Sequence, residues 1–290
     1  MKRKMALLTV CLLICMSMIQ PAAASGKYGN VYGSCKKLSD RTVILSVFAS
    51  DTKTRWDWDS QDDYNQLQET YKRLGIGVHW IEDNVGACGV KTDLVWDFYN
   101  VPYLYNEATF DQDMQTLDNA DYYAYQRFID NNLDVERIKD HFKAESIIFA
   151  FYYNSALKSE VISYTWCEKG RPLSEYTDYP EDPHYEICVF FTRGLGMITV
   201  PATYSHELLH CFGGRDLYRA DSRFNFTQDC SDWYRKKYPD ELFMSNKTGR
   251  QDTVDFELTE VTKYYLGLIP DSWIVDQWRL KKSDSELIGY

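Results

Sequence analysis

The stretch Pro201 to Asp216 reads P-A-T-Y-S-H-E-L-L-H-C-F-G-G-R-D. If it is helical through about Phe212, His206 and His210 stand at i and i+4, and their rings share one face at the spacing that grips a single metal ion. Glu207 lies beside them. A catalytic zinc takes three protein ligands and keeps a fourth position for water, so a third ligand is required. The histidines are His79, His141, His184, His206 and His210. None follows His210, so a downstream ligand must be acidic or sulfur, and Asp216 is the nearest. Gly213 explains how Asp216 reaches back: a glycine at a helix end takes the left-handed conformation that stops the helix and turns the chain. Pro201 suits the first helical turn, where its missing N–H costs nothing. Leu208, Leu209 and Phe212 form a face to pack on a sheet.

The pattern H-E-x-x-H-x-x-G-x-x-D resembles the metzincin zinc endopeptidases, in the snapalysin-like variant where aspartate replaces the third histidine. Met244, in E-L-F-M-S-N, resembles the methionine turn beneath the metal. The stretch D-F-E-L-T-E-V-T-K-Y-Y-L-G-L after it is similar to the clan's C-terminal helix. The resemblance covers roughly Ile187 to Leu268. It implies an α+β fold in which a mixed, twisted sheet and the active-site helix form an upper lobe. A smaller, mostly helical and irregular C-terminal lobe follows. It also implies one catalytic zinc ion on His206, His210 and Asp216, with Glu207 as general base in the hydrolysis of protein or peptide substrates by metal-activated water. A gluzincin-like site would instead take Glu257 or Glu260 as ligand, and that alternative leaves Gly213 unexplained. Two neutral imidazoles and one carboxylate leave the zinc centre at a lower formal charge than three imidazoles, and so a weaker Lewis acid. The chain departs from the clan at Asn246, where some members carry a tyrosine; Tyr204 and Tyr218 are the candidates for a replacement hydroxyl. The same constellation would serve a zinc-containing binding protein without turnover, or a hydrolase of non-peptide amides.

Lys2, Arg3 and Lys4 precede an apolar run from Met5 to Ile19, and Ala22 to Ala24 follow with the small side chains that signal peptidase accepts. Residues 1–24 therefore read as a secretory signal peptide, and residues 25–290 as a single metalloprotease domain with lobes at 25–213 and 214–290. The run is too short to favour a membrane span. Loss of three positive charges takes the formal charge from -11 to -14, a poor balance for nucleic acid or anionic lipid. A secreted monomer is expected. Six cysteines remain after the leader: Cys35, Cys88, Cys167, Cys188, Cys211 and Cys230. An even number in an exported chain suggests disulfides. Sequential pairing is the expectation, with a Cys211–Cys230 bridge tying the metal helix to the segment after Asp216.

Arg41 to Ala49 reads as a buried strand. Asp62 to Leu74 has helical spacing that Gly75 ends, and Gly77 to Glu82 reads as a second strand holding His79 as a structural residue, which gives a strand–helix–strand unit of parallel sheet. Asp57, Asp59, Asp62 and Asp63 are a candidate calcium cluster, but the loop lacks the glycine and terminal glutamate of an EF-hand; a solvated helix start is the plainer reading. Asp118 to Phe142 reads as one or two helices, and Ser146 to Tyr153 as a core strand. Val161 to Trp166 and Tyr185 to Thr192 read as further strands. In metzincins an antiparallel edge strand lines the cleft and pairs with extended substrate, and either of these two fits that role. Asp271-Ser272 is expected to cap a last helix in which Trp273, Ile274 and Trp278 share a face.

Overall fold

In the computed structural model, which describes residues 35, 37–115, 119–155, 163–165, 185–193, 198–244 and 250–280, the first strand, β1 (Arg41–Ser50), is buried at eight consecutive positions. Continuous burial is what a β-branched apolar run gives when both faces of a parallel sheet are covered. β1 pairs in parallel with β2 (Asp93–Val95) and, further along the same edge, β3 (Tyr105–Thr109). On its other edge it pairs in parallel with β4 (Ser146–Tyr153), which is buried throughout. β4 pairs in parallel with β6 (Glu186–Phe191), and β5 (Ser163–Thr165) closes the order β2-β1-β4-β6-β5 as an antiparallel edge. The fold is thus mixed α and β around a mostly parallel sheet. Of the two strands expected to compete for the antiparallel edge, the one inside Val161 to Trp166 holds it, and the one inside Tyr185 to Thr192 is interior.

The expected strand Gly77 to Glu82 is helix. α1 spans Gln61–Gly86 without a break, and the strand that follows β1 is β2, reached after α1 ends. Gly75 and Gly77 do not stop the helix, because they are places where other parts of the molecule come close. A Cβ on Gly75 would meet the Trp96 ring at 2.7 Å; one on Gly77 would meet the Pro201 carbonyl at 2.8 Å and Ser205 Oγ at 3.1 Å. Each glycine costs a helix about 1 kcal/mol relative to alanine. Burial of Leu67, Leu74, Val78, Ile81 and Val85 along one stripe outweighs that. His79 points outward on this helix, with Nδ1 2.9 Å from Glu82 Oε2.

Adjacent residues of a strand face opposite sides, and the aromatic rings of β4 show what covers each. Phe151 meets Tyr125 and Phe128 of α2 (Asn119–Asn132). Tyr152 stacks on Phe190, and both approach Tyr204 of α4 (Pro201–His210). So α2 covers one face and α4 the other, with α1 crossing α4 at Gly77 and Ser205, whose hydroxyl donates to the Gly77 carbonyl at 2.9 Å. Between α2 and β4 lies α3 (Val135–Phe142), capped by the Asp134 side chain on the Arg137 N–H.

Beyond Gly214 the described residues form α5 (Gln228–Lys237), α6 (Glu260–Tyr265), α7 (Trp273–Gln277) and 3-10 turns at Ser222–Phe224 and Leu242–Met244. Extended pairing there is confined to isolated bridges, Asp221 with Phe226 and Glu241 with Glu257. The anticipated C-terminal helix is shorter than its sequence pattern: only Glu260–Tyr265 coils. In α7, Ser272 caps as expected on the Val275 N–H, but the buried pair is Ile274 and Val275. Trp273 is 48% exposed and lies beside Trp233 of α5, with Lys237 Nζ over its ring. No helix among the described residues is long and apolar enough to cross a membrane. The expected signal peptide, Cys167, His184 and Asn246 lie outside the described residues.

Candidate metal centre

α4 begins where the sheet delivers it. After β6, the Thr199 hydroxyl donates to the Phe191 carbonyl at 2.7 Å and the Thr199 N–H to the Thr192 carbonyl at 3.1 Å, fixing the approach to Val200 and the proline that opens the helix. At the other end, Gly214 N–H bonds to the Leu209 carbonyl and Gly213 N–H to the His210 carbonyl, both at 2.9 Å. This is a Schellman turn, and it needs a left-handed residue; Gly213 has φ 103°. The turn that was expected to carry Asp216 back toward the histidines does so.

Three acceptor atoms converge there. His206 Nε2 and His210 Nε2 are 2.9 Å apart, and Asp216 Oδ1 lies 3.2 Å from the first and 3.5 Å from the second. For a tetrahedral ion bound at 2.0–2.1 Å, ligand atoms should stand about 3.3–3.4 Å apart. The triangle is close to that. The outer nitrogens face carbonyls: His210 Nδ1 is 2.8 Å from the Gly214 oxygen, and His206 Nδ1 is 3.4 Å from that of Leu242. With its one proton on Nδ1, a neutral ring turns its Nε2 lone pair inward. With both protons so placed, Asp216 Oδ1, shut off from solvent, is left without a hydrogen-bond donor. Three lone pairs meeting at one buried point repel unless a cation stands among them, so the donor set fits a metal ion. Among the described residues this is the group of three that could hold one. Of the acids at Asp57 to Asp63, Asp63 turns inward and accepts from the Asp57 N–H at 2.7 Å and from Asn154 at 2.6 Å.

Without the ion the same atoms hold protons. Burial works against a charged His210, but hydrogen bonding and Coulomb attraction from Asp216 outweigh it and push its pKa up to about 9. Burial likewise opposes charge on Asp216, and the two histidines overcome it, holding the carboxyl well below the usual range. Glu207, largely buried, places Oε1 4.0 Å from His206 Nε2, next to the point where the ligands meet.

The surroundings correct two expectations. Met244 is buried in the 3-10 turn, but the ring resting on both imidazoles is that of Phe243, with centroids 4.6 Å from His206 and 4.9 Å from His210. It also explains the second glycine, since a Cβ on Gly214 would lie 2.2 Å from its ring. Sequence reading missed Phe243; its place directly before the expected methionine was the signal available. Of the two tyrosines, Tyr204 is buried against the sheet, away from the ligands, whereas Tyr218 donates its hydroxyl to Asp216 Oδ2 at 2.9 Å. Arg219 approaches the same oxygen at 3.3 Å. The Tyr218 backbone is held by Arg235 of α5, which donates to its carbonyl at 2.7 Å. The expected Cys211–Cys230 bridge is not formed. A side chain one position past His210 points about 100° away from the metal face, and Cys211 accordingly turns to the sheet, with Sγ 3.5 Å from Sγ of Cys188.

Comparison of the chain with family models and with curated proteins finds no match.

Proposed function

We propose that the chain is an exported zinc-dependent endopeptidase of metzincin type, in which His206, His210 and Asp216 hold the ion and Glu207 is the general base. The observation that carries this reading is the convergence of two imidazole lone pairs and an orphaned carboxylate oxygen on one point beside Glu207. The left-handed Gly213 turn and the antiparallel edge strand β5 next to β6 support it further. Zinc held there would supply Lewis acidity toward a scissile carbonyl and acidify water. Tyr218 and Arg219 hold Oδ2 of Asp216, which leaves Oδ1 toward His206 and His210, and the two carbonyls set the histidine tautomers. Glu207 takes the proton of the attacking water and passes it to the departing amine.

The test is cleavage of casein or a peptide library by the purified protein, with zinc content measured in parallel. Activity lost to a chelator, and lost in Glu207→Ala with zinc still bound, is the expected result. Zinc without turnover would indicate a binding protein, and turnover of small amides alone a hydrolase of another class; either outcome overturns the proposal.

A further inference from the structure

Behind the metal centre, Cys188 of β6 and Cys211 at the end of α4 face each other with sulfurs 3.5 Å apart, both fully buried. We propose that these two cysteines form a disulfide that staples the last turn of α4 to the central sheet. Both side chains point at the same group, the Glu207 carbonyl, at 3.7 and 3.8 Å. They sit on an interior strand paired on both edges and on a helix end locked by its Schellman turn. A disulfide draws the sulfurs to about 2.05 Å, a movement of about 1.5 Å shared between two side chains. The cysteines are 23 positions apart, and the loop so closed contains His206, Glu207 and His210. Cross-linking there restrains the metal helix in the unfolded chain as well as the folded one.

Formation removes two protons and two electrons from the pair, and the acceptor is the disulfide of a thiol–disulfide exchange protein in an oxidising compartment. One cysteine thiolate attacks that disulfide and expels one partner thiolate. The second cysteine then attacks the mixed disulfide and expels the other, so the partner leaves as a dithiol. Because both sulfurs end up buried, exchange precedes the final docking of α4 on β6. Cys35 donates its N–H to the Cys211 carbonyl at 3.3 Å and is the rival for either position.

The full chain, exported and purified without reductant, is alkylated in denaturant and digested with trypsin unreduced. Mass spectrometry should find peptide 170–193 joined to peptide 194–215, with the species lost on reduction. Alkylated Cys188 and Cys211, or either one joined to peptide 28–36 or to Cys230, would overturn the assignment. Reduction of the wild-type protein by a phosphine should lower Tm by about 5–10 °C. An unchanged Tm would overturn the stapling role. Neither measurement depends on the metal reading.

Discussion

Asp216 divides its two oxygens between two tasks, and Tyr218 is what keeps them apart. Its hydroxyl holds Oδ2 at 2.9 Å, which leaves Oδ1 for the imidazoles. Outer partners of this kind contribute about 10–100-fold to metal affinity. Tyr218→Phe should therefore weaken zinc binding by roughly tenfold while leaving the circular dichroism spectrum unchanged; competition titration against a chelating dye measures it. His210 supplies a pH signature. Its folded pKa, about 9 in the metal-free state, lies above the ordinary histidine value, so its contribution to stability is fully present below about pH 6.5 and is lost as pH rises through about 9. The metal-free protein should lose melting temperature between pH 6.5 and 9. A metal ion bound there would displace that proton, so its affinity should fall by about tenfold per unit as pH drops below 9. Calorimetry in buffers of different ionisation enthalpy would count the proton released.

Helices α1 and α4 meet backbone to backbone, and that closeness places the histidines. Gly77 leaves no room for a methyl group against the Pro201 carbonyl. Gly77→Ala should force the helices apart and destabilise the protein by about 1–3 kcal/mol, read from urea unfolding, with weaker metal binding because both histidines ride on α4. The apolar stripe from Leu67 to Val85 was present in the sequence at helical spacing, yet the two glycines and the β-branched run around His79 read locally as a stop and a strand. Local preference was right about the cost and wrong about the outcome, since a glycine's value here lies in what approaches it from 128 positions away. Strands β1, β4 and β6 were legible because complete burial writes an unbroken apolar run.

Across the whole molecule, the 3-10 turn that carries Phe243 is tied to the start of α6 by a buried carboxylate. Glu241 is inaccessible to solvent and accepts from the Thr262 hydroxyl at 2.9 Å, from the Thr259 N–H, and from the Phe243 N–H at 3.3 Å. Burial pushes its pKa up, against the donors that favour the charged form. Glu241→Ala should leave those donors unpaired and cost about 2–3 kcal/mol. It should also loosen Phe243 from the imidazoles, a change visible as faster hydrogen exchange at Leu242 and Phe243. By itself the sequence determined the group His206, His210 and Asp216 that could hold a metal ion, the helix that carries two of its members and the glycine turn that returns the third, because each depends on spacing within one short segment. Only the tertiary structure decided that Phe243 rests on the rings, that Tyr218 rather than Tyr204 serves the carboxylate, and that Cys211 meets Cys188. The first and third of those contacts join elements far apart in the chain, and no local preference of either partner records where the other will come to lie; Tyr218 is two positions from Asp216, and there the direction of its side chain was set from outside the segment, by Arg235 holding the Tyr218 carbonyl.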